Sequence, residues 1–167
     1  MTALHAIVKQ SLFLVLLTVM LPSLASAETG LQTFDGKGKN IEDYASKDKW
    51  LIVMIWASDC HICNKEAQQY VTFHNNHQHK NAQMLGISSD GASKKKQAEA
   101  FISRHKLNYP NLIAEPGVVA ELYTELTGES WYGTPTFLVF APSGELKAAQ
   151  IGAVPTSSIE KFIQKNS

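Results

Sequence analysis

The stretch WLIVMIWASDCHIC, residues 50–63, joins a continuous apolar run to two cysteines that are separated by two residues. The apolar part, residues 50–57, is rich in strand-forming residues, and such a run is typical of a strand buried on both faces of its sheet. From Cys60 to about His77 the pattern becomes helical, because four residues recur at intervals of three and four: Ala67, Tyr70, Val71 and His74. The stretch therefore predicts a central strand, a short turn and a helix that begins at the first cysteine.

Cys60 and Cys63 are the two cysteines of the chain. A structural disulfide stabilises a protein mostly by closing a long loop, and this pair would close almost none. At a helix N-terminus, unpaired N–H groups and the helix dipole stabilise a thiolate. The dipole is worth up to ~2 kcal/mol, so position alone lowers the pKa of Cys60 by roughly one unit or more. We therefore expect Cys60 to be the nucleophile and Cys63, one turn further and more buried, to resolve a mixed disulfide.

The first 27 residues have the three-part order of a secretory signal. A segment that carries Lys9 and no acid precedes the apolar run SLFLVLLTVMLPSL at residues 11–24, and the small residues of ASA follow at 25–27. The run is about 14 residues long, shorter than the roughly 20 that a spanning helix needs, and an uncleaved membrane anchor is the alternative. We expect a signal peptide over residues 1–27, one domain over residues 28–167, and export to the periplasm.

The composition is that of an ordinary globular domain, with 44% hydrophobic and 18% charged residues. The formal net charge is zero, so there is no electrostatic case for a nucleic-acid partner or for an acidic membrane surface. The predicted domain of about 140 residues is long enough to bury a sizeable hydrophobic core without stabilising disulfides or metal ions. The run of three lysines at residues 94–96 is short and is expected to be a solvated helix start. No Ser-His-Asp arrangement, phosphate loop or dinucleotide motif is visible, so the cysteine pair carries the chemistry.

The rest of the chain alternates predicted strands and helices. Residues 31–40 suggest a short strand, and Asn40 is expected to cap a helical turn. The later elements, in chain order, are a strand at 82–89, a helix at 93–107 capped by Ser93, a strand at 111–114, a helix at 117–126, a hairpin at 135–152 and a helix at 156–165. This order predicts an α/β fold with a central mixed β-sheet flanked by helices on both faces.

Three features together resemble thioredoxin-fold proteins, specifically the exported TlpA/ResA-like thiol-disulfide oxidoreductases. The first is the strand that leads into CxxC. The second is GTPTFLVF, residues 133–140, which matches the segment where that fold keeps a cis-proline beside the cysteines. The third is Glu66, which completes a CxxCxxE pattern similar to the one that places an acid near the pair. The resemblance covers about residues 31–163.

This resemblance implies a thioredoxin-like fold and assigns further site residues. Pro135 takes the cis-proline role and Thr134 precedes it, so that their backbone would pair with an extended substrate segment. Glu66 would hold or pass a proton at the Cys63 side. Trp56, at the end of the apolar run, is expected to border the site and touch substrate. The cysteine pair is itself the redox centre, so no separate cofactor and no metal are implied.

The sequence departs from the family pattern around the cysteines. Asp59 stands where the family commonly has an aromatic residue, the pair His61-Ile62 stands where it often has proline, and Met54 stands where thioredoxin keeps a buried aspartate. A protonated His61 would favour an oxidant and an ionised Asp59 a reductant. Both are expected to face solvent, where each effect is ~1 kcal/mol or less. Since 1.4 kcal/mol is about 30 mV and oxidants and reductants of this fold differ by about 150 mV, neither residue decides the direction.

Two further groups of side chains are left open or set aside. Trp131 and Tyr132 precede the Thr-Pro segment and are either core residues or a rim that touches substrate. Three histidines lie late in the first helix: His74, His77 and His79. At 1.5 Å per residue they are roughly 20 Å or more from Cys60, so they cannot share one ion with the cysteines. We expect them to form a polar helix end.

Taken together, these features predict an exported protein thiol-disulfide oxidoreductase. The resemblance favours a reductase that acts on disulfides of extracytoplasmic proteins, accepts electrons from a membrane or periplasmic thiol donor, and works as a monomer without a nucleic-acid partner. Two alternatives stay open: a disulfide-forming oxidant of the same fold, and a copper-handling protein that uses the dithiol as a ligand. A peroxidase variant is disfavoured because no separate peroxidatic cysteine motif is present.

Overall fold

A six-stranded mixed β-sheet organises the residues that the computed structural model describes, 30–167. The strands are β1 (Gln32–Thr33), β2 (Trp50–Trp56), β3 (Ala82–Ser88), β4 (Asn111–Ile113), β5 (Thr136–Phe140) and β6 (Leu146–Ile151). Their order across the sheet is β1-β4-β3-β2-β5-β6. The pairs β2/β3 and β3/β4 are parallel, while the outer pairs β1/β4, β2/β5 and β5/β6 are antiparallel. β2 therefore lies inside the sheet, as its apolar run predicted.

Helices cover both faces of the sheet, which confirms the predicted architecture. They are α1 (His61–His77), α2 (Lys95–His105), α3 (Pro116–Thr127) and α4 (Thr156–Asn166). Successive side chains of a strand point to opposite faces, and β2 divides accordingly. One face of β2 packs with residues of α1, α2 and α4 through Trp50, Ile52, Met54 and Trp56. The other packs with residues of α3 through Leu51, Val53 and Ile55.

Most predicted elements agree with the structure to within one or two residues, but the N-cap predicted for one helix is wrong. Residues 92–94 form a separate 3-10 turn, Ala92–Lys94, and α2 begins at Lys95 with Lys94 as its N-cap. Ser93 is therefore inside the turn and does not cap the helix. The turn begins after Gly91, which has a φ of 65°, and is held by the Ala92 N–H, which donates to the Glu115 carboxylate at 2.7 Å.

The start of the first helical turn is as predicted. Asn40 is the N-cap of the 3-10 helix Ile41–Tyr44, and its backbone N–H donates to the Asp43 carboxylate at 3.0 Å. The predicted signal peptide at residues 1–27 lies outside the described residues. Among those that are described, no helix has the length and apolar character needed to cross a membrane.

The prediction that His74, His77 and His79 form a polar end of the first helix is wrong for His74. The His74 ring is buried, its Nδ1 accepts the Met84 N–H at 3.3 Å, and burial lowers its pKa. His77 instead lies 3.1 Å from the Glu160 carboxylate on α4, and His79 is exposed. Within residues 30–167, no three His, Cys, Asp or Glu side chains are arranged to hold a metal ion.

Gly86 of β3 marks a close approach between the central strands and the α2 side of the core. The Trp56 Nε1–H donates to the Asn111 Oδ1 at 3.2 Å directly above it. A Cβ at position 86 would lie 2.0 Å from the Asn111 Oδ1 and 2.9 Å from the Trp56 Nε1. Position 86 therefore requires glycine because there is no space for a Cβ atom, and not because its φ is unusual.

We expect Gly86→Ala to lower the free energy of unfolding by about 1–3 kcal/mol, because the methyl group must displace the Trp56–Asn111 hydrogen bond. Urea denaturation followed by tryptophan fluorescence measures this change. Gly117→Ala is the matched control, since a Cβ in the first turn of α3 meets nothing within 4 Å. That variant should be neutral or more stable by up to about 1 kcal/mol. Equal stability of both variants and the wild type would contradict the steric account.

Candidate functional site

The cysteine pair lies at the junction of β2 and α1. Cys60 is the N-cap of α1, and its sulfur accepts the Cys63 N–H at 3.1 Å. The two cysteines are joined by a disulfide, with their Cα atoms 5.2 Å apart. Cys63 is fully buried, whereas Cys60 is partly exposed. A partner that approaches from solvent therefore meets Cys60 first.

The turn that carries Cys60 is held by an asparagine of α1. The Asn64 Nδ2 donates to the Ser58 carbonyl at 3.0 Å and to the Cys60 carbonyl at 2.9 Å. The Asn64 Oδ1 can only accept, and it receives the Nε2–H of His105 at 3.0 Å. Burial, with a smaller effect from Arg104, lowers the pKa of His105. Asn64 thus joins the turn to the end of α2.

A buried carboxylate holds the same turn from the opposite side. The Ser58 N–H donates to the Asp90 Oδ2 at 2.9 Å, and the Ser58 hydroxyl donates to the Asp90 Oδ1 at 2.9 Å. The Ser88 hydroxyl donates to the Asp90 Oδ2 at 2.7 Å. Asp90 follows β3, the parallel neighbour of β2, so the ends of two adjacent strands meet at this point. The N–H and the carbonyl of Ser58 are therefore both bonded by side chains.

The residues on either side of Cys60 face solvent, as predicted, but Asp59 is not alone. Its carboxylate lies 2.7 Å from the Lys94 Nζ, and both side chains are at least half exposed. The hydrogen bond from Lys94, followed by its charge, lowers the pKa of Asp59. His61 is exposed at the first position of α1. The lysine run is therefore more than a solvated helix start, because Lys94 offsets the charge of Asp59.

The Thr-Pro segment directly precedes β5, which is paired with β2, the strand that leads into the cysteine turn. The bond between Thr134 and Pro135 is cis, as predicted. Thr136 is paired with Ile55, which puts Pro135 beside the end of β2. Pro135 is buried and its carbonyl accepts the Gly152 N–H at 2.8 Å, while Thr134 is partly exposed. The segment is thus anchored on one side and open at Thr134.

Glu66 is partly buried on α1 and is bonded along its own helix. Its Oε2 accepts the Gln69 side-chain N–H at 3.1 Å and lies 3.3 Å from the Tyr70 hydroxyl. That hydroxyl also lies 2.9 Å from the Val154 carbonyl. Burial, and then the charge of Glu66, raise the pKa of Tyr70. Glu66 is therefore tied to the loop after β6, and its proposed action on Cys63 would take place across one helical turn.

The expected contact between Trp56 and substrate is wrong. Trp56 has no exposed surface, and its ring stacks on Phe101 with centroids 4.4 Å apart. Side chains alternate along β2, so Trp56 points into the core on the same face as Met54. Its position beside the turn does not show in the sequence which face it takes. Trp131 is also partly buried, and its Nε1–H donates to the Thr136 hydroxyl at 3.1 Å.

Two apolar side chains close in sequence to the cysteine pair or to the Thr-Pro segment are exposed. Within residues 30–167, two large apolar side chains are exposed: Ile62 at 42% and Tyr132 at 83%. Ile62 lies between the cysteines, and Tyr132 is two residues before Thr134. Of the two aromatic residues that the sequence left open, Trp131 packs against the core and Tyr132 is exposed.

Four residues of the site were missed from the sequence: Asn64, Asp90, Lys94 and His105. Only Asp90 carried a usable signal, because it directly follows a predicted buried strand, and polar residues at the carboxyl ends of parallel strands gather at one edge of a sheet. Asn64 follows Cys63 but matches no motif. The partners of Lys94 and His105 depend on where α2 packs, which local patterns do not specify.

The sequence matches a family model described as "AhpC/TSA family" over residues 24–149. The sporulation thiol-disulfide oxidoreductase A of Bacillus subtilis is 22% identical over 136 residues, which cover 81% of this chain and 77% of that protein.

Solved structures with the same fold include StoA of Bacillus subtilis, at 20% identity and a TM-score of 0.60, covering 80% of this chain and 93% of that one. A thioredoxin family thiol:disulfide interchange protein of Chlorobium tepidum has 20% identity and a TM-score of 0.64, covering 80% and 88%. These similarities establish a thioredoxin-like fold, as the sequence resemblance implied.

Proposed function

The chain belongs to the AhpC/TSA family, and we propose that it acts within this family as a thiol-disulfide oxidoreductase. The observation that carries the proposal is the pair itself: an accessible Cys60 at the N-terminus of α1 and a buried Cys63 whose N–H meets the Cys60 sulfur at 3.1 Å. A relative named as a thiol-disulfide oxidoreductase supports it. Both cysteines of the chain are in this pair, which does not favour a peroxidase with a separate reactive cysteine.

The proposed reaction reduces a partner disulfide in two exchanges. The Cys60 thiolate, stabilised by the Cys63 N–H and by the helix dipole, attacks one sulfur of the partner and displaces the other as a thiolate. Cys63 then loses its proton and attacks the Cys60 sulfur, which releases the partner's second thiolate. Two electrons have moved to the partner, and the Cys60–Cys63 disulfide remains. Glu66 or water takes the Cys63 proton.

The substrate segment is proposed to lie along the open side of the Thr-Pro segment. Thr134 is partly exposed and Pro135 is fixed beside the end of β2, so an extended chain can approach Cys60 there. Tyr132 and Ile62, which are both exposed, are proposed to supply an apolar border to this approach. Trp56 has no part in it.

We propose the reducing direction, with disulfides of extracytoplasmic proteins as substrates and a membrane or periplasmic thiol protein as electron donor. Export rests on the predicted signal at residues 1–27, and the protein is proposed to act as a monomer in the periplasm. The disulfide-forming oxidant is the second candidate. It is favoured by the Asp59–Lys94 ion pair, because that lysine offsets a charge that would otherwise oppose the Cys60 thiolate.

The variant Cys63→Ser should accumulate mixed disulfides through Cys60, because the resolving thiol is gone. Non-reducing electrophoresis and mass spectrometry of the exported protein measure the trapped partners and the linked cysteine. Cys60→Ser is the matched control and should trap nothing, since Cys63 is buried. Partners found on the Cys60→Ser variant would reverse the two roles. Tight Cu(I) binding by the wild type with no disulfide exchange would instead support the copper-handling alternative.

The reduction potential of the pair should lie near that of thioredoxin, about −270 mV, and not near the about −120 mV of a strong oxidant. Equilibration with a glutathione or dithiothreitol redox buffer, followed by thiol labelling, gives this value. A result at the oxidising end would leave the thiol-disulfide chemistry in place and reverse the direction that we propose.

Tyr132→Ser should raise the KM for a protein disulfide substrate roughly three- to tenfold, since a well-packed aromatic contact is worth on the order of 1 kcal/mol or more at an interface. The rate with dithiothreitol should not change, because a small thiol does not need this border. Tyr132→Phe keeps the ring and should behave like the wild type. An equal loss of rate with both substrates would show that Tyr132 acts on the pair and not on the partner.

A further inference from the structure

Asp90 is a buried acid to which the proposed reaction gives no role. It lies in the loop after β3 and is 6% exposed. A buried carboxylate is costly unless donors surround it, and here its side-chain oxygens receive the Ser58 N–H, the Ser58 hydroxyl and the Ser88 hydroxyl. Two of these three donors belong to Ser58, a residue of the turn that delivers Cys60. The contact is therefore directed at the redox site and not at the core.

The distance from this carboxylate to the reactive sulfur is short enough for its charge to matter. Ser58 and Cys60 are two residues apart, so their Cα atoms are at most about 7 Å apart, and the carboxylate is within roughly 14 Å of the sulfur. The path between them is partly buried, where charges are screened less than in water. A negative charge at this distance opposes the formation of a thiolate at Cys60.

The other charged groups around the turn do not cancel the effect of the Asp90 charge on a Cys60 thiolate. Asp59 is paired with Lys94 at 2.7 Å, so these two charges largely offset one another. The charge of Asp90 also acts on Lys94. The other titratable groups are Glu115, whose carboxylate accepts the Ala92 N–H at 2.7 Å, His61, which is exposed, and His105, which donates through Nε2 to Asn64. The carboxylates of Asp59, Asp90 and Glu115 thus outnumber Lys94, and the net charge around this turn is negative.

We propose that Asp90 is a positioning residue of the redox pair: its carboxylate fixes the Ser58 turn, and its negative charge biases the Cys60–Cys63 pair toward the disulfide. The pair is then a stronger electron donor than its place at a helix N-terminus alone would make it. This inference rests on the proposed function and explains how the reducing direction is obtained without an acid at Met54. Lys94 is the opposing group, which limits the bias.

The test compares variants of the chain in a dithiothreitol or glutathione redox buffer. Asp90→Asn should shift the equilibrium roughly three- to tenfold toward the dithiol, as expected for the loss of one nearby charge. This is about 15 to 30 mV for a two-electron couple. The pH profile of Cys60 alkylation should move to lower pH in the same variant. Asp48→Asn is the matched control, because Asp48 also accepts a serine hydroxyl, from Ser46, but is exposed and distant in the fold.

Two further variants separate the charge from the hydrogen bonds. Ser58→Ala removes one bond to Asp90 and leaves the carboxylate, so its equilibrium should stay within about twofold of the wild type, below the effect of a lost charge. Lys94→Gln removes the opposing charge at an exposed position and should shift the equilibrium roughly threefold toward the disulfide. Because Lys94 is exposed, this variant measures the effect of charge on the pair even if Asp90→Asn does not fold.

Several results would overturn the inference. One is an Asp90→Asn protein with the wild-type equilibrium and alkylation profile, even with reduced stability, since Asp90 would then be only structural. Another is a Ser58→Ala shift as large as that of Asp90→Asn. A shift toward the dithiol in Lys94→Gln would also overturn it. Failure of the proposed function is distinct, because the wild type would then lack exchange with protein disulfides while these equilibria could still be measured.

Discussion

The site depends on how the backbone of Ser58 is bonded. This residue lies between the last residues of β2 and the first cysteine, where the chain leaves the sheet and can pair with no other strand. Its N–H is bonded by Asp90 from the β3 side, and its carbonyl is bonded by Asn64 from α1. Polar backbone groups in a partly buried turn need such partners. Two side chains that are distant in sequence thus fix the position from which α1 begins, and with it the position of Cys60.

Two opposing electrostatic effects meet at the Cys60 sulfur. The N-terminus of α1 and the Cys63 N–H stabilise a thiolate, which makes the cysteine reactive. The Asp90 and Asp59 carboxylates oppose it, and Lys94 offsets part of that opposition. A strongly stabilised thiolate makes a pair oxidising, whereas a donor must return readily to the disulfide. Under the proposed reducing function, this balance would allow a Cys60 thiolate that attacks at neutral pH while the Cys60–Cys63 disulfide remains the favoured product.

Patterns within one element predicted the sheet, and contacts between elements account for what they missed. The apolar run of β2 and the spacing of α1 are local, so the buried strand, the helix start at Cys60 and the order of elements followed from the sequence. Trp56 shows where this reasoning ends, because an aromatic residue beside the turn can face either side and only the pairing of β2 decides it. His74 was misassigned for the same reason, since its partner is a backbone N–H of β3. Asp90 and Lys94 reach the turn from more than 30 positions away, and no pattern within one element joins them to it.

The ion pair beside Cys60 also bears on how a partner is recognised. Where the resemblance leads one to expect an aromatic side chain directly before the first cysteine, this chain has an acid whose carboxylate is bonded to Lys94. An apolar partner surface gains nothing from covering this pair, since burying the two charges would cost free energy. The exposed apolar groups lie instead within the cysteine motif and before the Thr-Pro segment, at Ile62 and Tyr132. If a polypeptide binds as proposed, its apolar contacts would be made with Ile62 and Tyr132, and the Asp59–Lys94 pair would be left to water or to complementary polar groups of the partner.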